Sequence, residues 1–311
     1  MALPHTHDET KLSAQRSDAQ SAATVERQAA DLVASGSLEM GAHRPKDARE
    51  IADLLPQGTP VFVNHLPRHT LDQSLDALVA LRTAGLEPVP HIAARRIKTR
   101  AEVVGFLKRA LADAGVKKVL LIGGDMPEIH GPYSDGLSVL ADNVLTEAGL
   151  REVALPSYPE GHPVLATPLL DSALAAKIAA ARGQGLGVSI VSQFSFHPAR
   201  IIEHCAALDR AYPDVPVYAG LAGPTSPTAL IRYAHRCGVS ASLRALSREG
   251  MRAVNLVTHT DPSEQLTALA RHLTNQSQSN VVGVHLFTFG GVGPAAQWMN
   301  AIVRKGPARV A

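Results

Sequence analysis

Short apolar runs alternate along this chain with longer stretches whose apolar residues fall at helical spacing. The runs predict strands near residues 37–40, 60–65, 87–93, 117–122, 152–157, 187–193, 216–221 and 280–289. Between them, Leu71, Leu75, Leu78 and Leu81 mark the stripe of a helix over 71–84. Stretches 101–114 and 135–148 read as helices closed by Gly115 and Gly149, because glycine takes the left-handed conformation that ends a helix. Stretch 200–212 stops before Pro213, 227–237 ends at Gly238, and 294–304 reads as the closing helix. The repeat of helix, glycine and strand, eight strands in all, predicts an α/β chain folded as a (β/α)8 TIM barrel.

Residues 1 to about 12 read as a loose tail and 13–35 as a leading helix. The chain therefore divides into 1–36, tail and extra helix, and 37–311, a single barrel catalytic domain. Stretch 240–277 is long for one connection and predicts two extra helices or a helix–strand–helix insert before the last strand. An open doubly wound sheet is the rival fold. It would carry a glycine-rich phosphate loop after an early strand, and neither GxGxxG nor GxxxxGK[ST] occurs.

Hydrophobic residues make up 45% of the 311 residues, enough for a sizeable core. The formal net charge is +2 and its basic residues are scattered, which does not point to nucleic acid. Arg95, Arg96, Lys98 and Arg100 form the densest basic patch. It reads either as a solvated loop before a helix or as an attractor for an anionic substrate or cofactor tail. Cys205 and Cys237 are the two cysteines and lack CxxC spacing, so neither a disulfide framework nor a zinc site is expected. Both read as buried apolar residues, and their scarcity fits a reducing cytoplasm. The first 21 residues are polar, unlike a secretory leader, and no run approaches the ~18 apolar residues of a membrane span.

Barrel active sites are built at the C-terminal ends of the strands. Three successive strands here end in polar residues of chemical use: Gly123-Gly124-Asp125, Tyr158-Pro159-Glu160-Gly161-His162-Pro163, and Ser192-Gln193-Phe194. Glu39 lies among apolar neighbours in the first strand. Facing a barrel mouth it would have a raised pKa and act as a general acid; at a strand end it would simply face water. The two glycines before Asp125 permit close approach of a flat ligand, although Gly-Gly-Asp is also a common turn. The amide of Gln193 matches a donor–acceptor edge bidentately, or is an ordinary polar residue. His91, after Pro90, reads as a ligand-lining residue or as a neutral core histidine. The 14 histidines show no HExxH or other metal-ligand spacing, and no GxSxG elbow occurs.

These stretches together resemble the methylenetetrahydrofolate reductase family, from about Ser37 to Gly291 and most strongly between His91 and Phe196. The resemblance implies a TIM-barrel oxidoreductase interconverting 5,10-methylenetetrahydrofolate and 5-methyltetrahydrofolate, with NAD(P)H as co-substrate and FAD as bound carrier. It implies Glu39 as proton donor, and Asp125 as the second catalytic group. Substrate contacts fall on Glu39, Asp125 and Gln193. Flavin contacts fall on His91, Gly124, Asp125, Tyr133, Tyr158, His162 and Lys177. The last strand, Val284-His285-Leu286-Phe287-Thr288-Phe289, also resembles the family's.

The chain departs from the family at Val63-Asn64-His65-Leu66-Pro67 in the second strand, at Gly123 where an Arg is usual, and at Gly290-Gly291 where the family has Asn-Arg. Two other readings therefore stay open: a flavin-free reductase taking hydride directly from NADH, and a folate- or flavin-binding protein without turnover. Expected partners are a tetrahydrofolate derivative but neither nucleic acid nor membrane. A homo-oligomer is left open.

Overall fold

The computed structural model describes residues 6–65, 70–124, 128–226, 229 and 261–306, with side chains from residue 20 onward. Eight strands, β1 (Ser37–Gly41), β2 (Pro60–Asn64), β3 (Glu87–Ala93), β4 (Lys118–Ile122), β5 (Glu152–Ser157), β6 (Gly187–Ser192), β7 (Val217–Ala222) and β8 (Val281–Phe287), pair in chain order into a closed parallel barrel. The seam is β1 against β8, with Ser37 opposite His285 and Leu38 opposite Leu286. Every strand lies within two residues of its sequence prediction. The chain is a (β/α)8 barrel.

Parallel strands are buried on both faces, and here the two faces form separate cores. Leu38 and Met40 point outward and join the large cluster beneath the helices. Phe62, Val89, Leu120, Ala154 and Val191 point inward and plug the barrel, with Ile122 and Tyr218 against them.

The outer layer comprises α1 (Thr6–Ala34), α2 (Asp47–Ala52), α3 (Leu71–Thr83), a 3-10 turn at Ala94–Arg96, α4 (Arg100–Ala114), α5 (Gly136–Ala141), α6 (Val144–Glu147), α7 (Thr167–Gly183), α8 (Pro198–Ala211), α9 (Ser263–Thr274) and α10 (Val292–Lys305). Local chemistry sets the ends. Thr70 and Gln73 close a capping box on α3, and Thr99 caps α4, which stops at left-handed Gly115.

Three expectations change. The leading helix is longer, because α1 begins at Thr6, within the stretch expected to be tail; no glycine or proline interrupts it. The single helix over 135–148 is two, because Asn143 adopts φ 55° and breaks it. The last strand ends at Phe287 because Phe289 turns left-handed at φ 52°. The helix expected over 227–237, with Cys237, lies outside the described residues apart from Ala229, as does most of the insert before α9. Cys205 is buried, and its thiol is pushed up to about 12 by burial and Asp209.

Candidate active site

β1 turns alternate residues into the barrel, so Ser37 and Glu39 face inward while Leu38 and Met40 pack outward. The Glu39 side chain is 14% exposed. Its Oε1 lies 3.8 Å from His91 Nε2 on β3 and 3.8 Å from His285 Nε2 on β8. Both distances exceed a hydrogen bond, and both imidazole nitrogens are buried without a hydrogen-bond partner. Phe62 sets its ring edge-to-face against both, 4.7 Å from His285 and 6.0 Å from His91. His285 is fixed from behind by Ser37 Oγ, 2.8 Å from its Nδ1. Thr288 Oγ1 donates to the Glu39 carbonyl oxygen at 3.1 Å.

Burial lowers the pKa of His91 to about 4; Glu39 opposes the shift and His285 adds to it. The 3.8 Å approach of His91 to Glu39 is therefore not an ion pair at neutral pH. It is a neutral imidazole facing a carboxyl group in an aromatic-walled chamber, an arrangement suited to moving one proton.

The rim is built by the loops that follow the strands. Gly124, at the end of β4, adopts φ 96°, and a Cβ there would lie 3.4 Å from that of Ala93. Gln193 follows β6. Its backbone N–H donates to Ser157 O at 2.8 Å, its carbonyl oxygen accepts from Ser192 Oγ at 3.1 Å, and its Oε1 accepts from Phe194 N at 3.1 Å. On the β5–α7 loop, Tyr158 and His162 meet edge-to-face at 5.3 Å. His162 Nδ1 accepts from the amides of Val164 and Leu165 at 3.2 and 3.3 Å. Ser195 Oγ donates to Glu160 Oε1 at 2.5 Å and so ties this loop to the β6–α8 loop.

The structure thus brings Glu39 together with His91 and sets Gly124, Tyr158, His162 and Gln193 on the strand-end loops. Tyr133 and Lys177 sit in the helical layer instead. Tyr133 donates to Asp142 at 2.5 Å, within a cluster with Arg100 and Glu147, and burial with Asp142 pushes its hydroxyl up to about 12. The Lys177 stem packs against Gly136 at the start of α5; burial pulls its ammonium below the ordinary lysine range, opposed by Asp135. Asp125 lies outside the described residues. Sequence reasoning gave no role to His285, Ser37 and Phe62. Their signal was the inward period-2 register of β1, β2 and β8, which becomes readable once strand pairing is known. Among the described residues, no three His, Cys, Asp or Glu side chains are placed to hold a metal ion. No helix among them is long and apolar enough to cross a membrane.

No protein-family model matches this chain. Among solved structures it resembles a DHPS from Yersinia pestis with a pterine-sulfa conjugate, at 10% identity over 87% of this chain and 92% of that one, TM-score 0.47. It also resembles the 3-dehydroquinate dehydratase of Geobacillus kaustophilus HTA426, at 13% identity over 61% and 74%, TM-score 0.40. The 3-dehydroquinate dehydratase of Aquifex aeolicus VF5 follows at 8% identity over 59% and 78%, TM-score 0.38. Likeness at this level does not carry function, which has to be read from the site itself. That site is a carboxyl group between two buried imidazoles at the C-terminal mouth of a (β/α)8 barrel.

Proposed function

We propose that this chain is an oxidoreductase interconverting 5,10-methylenetetrahydrofolate and 5-methyltetrahydrofolate, with a nicotinamide cofactor as the ultimate hydride partner. The observation that carries this reading is Glu39, a carboxyl group whose Oε1 lies 3.8 Å from the buried imidazoles of His91 and His285, both of which meet the Phe62 ring. Opening the five-membered ring of the folate needs a proton delivered to nitrogen, and Glu39 is the group positioned to hold and release it. Gln193 orients the pterin edge: Phe194 N fixes its Oε1, and no described residue bonds its amide nitrogen. Asp125 would support the pterin beside Gly124.

The residues present fit a flat flavin ring. Gly124 offers bare backbone, and His91 Nε2 is buried and unpartnered. His91, Gly124, Tyr158 and His162 would hold the ring; Lys177, packed in the helical layer beside Gly136, fits its phosphates less well. A flavin bound there supplies the hydride acceptor and donor. Tyr133 fits less well, because its hydroxyl is already taken by Asp142. That observation favours a second reading, in which hydride passes directly from NADH to the folate and the same Glu39 supplies the proton.

The test is the visible spectrum of the purified protein before and after loading with FAD, together with NADH oxidation. Retained flavin bands, bleached by NADH and restored by methylenetetrahydrofolate, support the first reading. A colourless protein that oxidises NADH only when the folate is present supports the second. No folate-dependent NADH oxidation in either form sinks both.

A further inference from the structure

The β5–α7 and β6–α8 loops leave neighbouring strands and carry different parts of the proposed chemistry. Strand pairing ends with Ser157 opposite Ser192. Beyond that pair, one loop carries Tyr158 and His162, assigned above to the hydride-carrying ring, and the other carries Gln193, assigned to the pterin. From there outward the ladder no longer sets the gap between them. Glu160 and Ser195 lie equally far beyond the last pair and meet across it. Ser195 Oγ donates to Glu160 Oε1 at 2.5 Å.

The two sides of this bond are unequal. The Ser195 side is a fixed post. Phe194 is fully buried against Phe196 and Phe287, Ser195 is itself buried, and Gln265 Nε2 on α9 donates to Phe196 O at 3.0 Å. Ser195 Oγ also accepts from His197 N at 3.1 Å, so its one proton is aimed at Glu160. The Glu160 side is shaped by bonds within its own loop. Gly161 N donates to Tyr158 O at 3.2 Å, and His162 Nδ1 accepts from the amides of Val164 and Leu165. Glu160 ties that shape to the post.

We infer that Glu160 is a positioning residue, which through Ser195 sets the spacing between the hydride-carrying ring and the pterin. This rests on the oxidoreductase reading above and adds how its two rings are held together. Hydride transfer breaks the bond from hydrogen to the carrier and forms a C–H bond at the folate methylene carbon. The electron pair moves with the hydrogen and the Glu39 proton goes to the ring nitrogen, so the carrier is oxidised and the folate reduced. Such a step needs reacting atoms about 3–3.5 Å apart, and a drift of about 1 Å costs on the order of 10²-fold in rate. A short bond between the two loops is a gauge on that scale.

The test measures folate-dependent NADH oxidation by the full chain, with 5-methyltetrahydrofolate affinity by calorimetry and a thermal melt of each variant. Ser195→Ala and Glu160→Ala are each expected to lower kcat about 10²-fold while folate affinity stays within about twofold. The double variant should be no slower than either alone, because both remove one contact. Glu160→Gln, which keeps an acceptor at Oε1, should recover most of the rate. The fold should survive in Ser195→Ala, where no proton is left to satisfy, and in Glu160→Ala, where that proton has His197 O within 3.5 Å. Unchanged kcat in Ser195→Ala, or losses that multiply in the double variant, overturn the inference and leave the oxidoreductase reading standing. So does a fall in folate affinity as large as the fall in kcat, which would make the bond a support of Gln193 alone. Wild-type protein without folate-dependent NADH oxidation overturns both.

Discussion

Ser37 and His285, 248 positions apart in sequence, share a 2.8 Å hydrogen bond across the seam where the first and last strands close the barrel. Both side chains are buried, so the bond fixes the imidazole ring and couples its two nitrogens. When Ser37 donates, Nδ1 is bare and Nε2–H points toward Glu39. When Ser37 accepts, Nε2 is bare and can take a proton from the Glu39 carboxylic acid. One proton on Glu39 and one on His285 Nε2 are thus linked through a serine rotation.

Ser37→Ala tests the coupling. It leaves His285 Nδ1 buried and unpaired, which costs about 1–3 kcal/mol. Urea denaturation should show that loss as a lower midpoint at unchanged slope. Turnover should fall with it, because the ring is no longer held. A variant with full stability and full turnover would show that the bond orients nothing.

Glu39→Gln keeps shape and removes the proton. Its Oε1 makes no hydrogen bond shorter than the 3.8 Å approaches of the two histidines, so the fold should tolerate the amide and melt within a degree or two of wild type. Folate binding should survive. Folate-dependent NADH oxidation should drop by about 10²- to 10⁴-fold, the usual size of a general-acid contribution. Undiminished turnover would remove Glu39 from the proposed role.

The barrel was legible in the sequence because its signals are local. Gly115 marks the end of α4, and the leucine stripe from Leu71 to Leu81 marks α3. Glu39 and His91 were legible as isolated candidates. Their meeting with His285 was not, because it depends on closure of β1 against β8 over most of the chain length. His285 sits in an apolar strand, and only the inward register separates it from a core residue. Asn143 hid the break between α5 and α6 for a related reason: a single left-handed residue leaves the apolar periodicity intact. Tyr133 entered as a flavin contact only through the family resemblance. The Asp142 and Arg100 that engage it come from elements whose packing no local pattern reveals.

Acid should destabilise this protein earlier than its carboxylates alone would. His91 and His204 are both lowered from 6.5 to about 4, each chiefly by burial. His204 Nε2 also meets Ser157 Oγ at 2.9 Å. The unfolded chain takes up protons at these sites as pH falls below about 6.5, whereas the folded chain refuses them until about 4. Stability from keeping them neutral is fully present above 6.5 and is lost downward through that window. Near pH 5 the loss is about 1.4 kcal/mol per pH unit for each histidine. Urea midpoints measured from pH 7.5 to 4.5 should fall accordingly, and His204→Gln should flatten the slope by about half.

Gly220 and Gly105 predict opposite outcomes for the same chemical change. Gly220, on β7, passes so close to the end of β6 that a Cβ would overlap the Ser192 carbonyl oxygen and lie 2.7 Å from the Gln193 carbonyl carbon. Its amide also donates to Ser192 Oγ at 2.8 Å, so neither strand can simply move aside. Gly220→Ala should cost about 1–3 kcal/mol through overpacking. It should also displace Gln193 and raise KM for the folate. Gly105 lies exposed within α4, where a Cβ would meet nothing within 4 Å. There, alanine restores helix propensity and should add about 0.5–1 kcal/mol of stability with no change in KM. Thermal melts and KM of the two variants side by side separate contact at the site from general strain. If Gly220→Ala lost stability but kept the wild-type KM, the β6–β7 approach would serve the fold alone, and Gln193 would not contact the substrate.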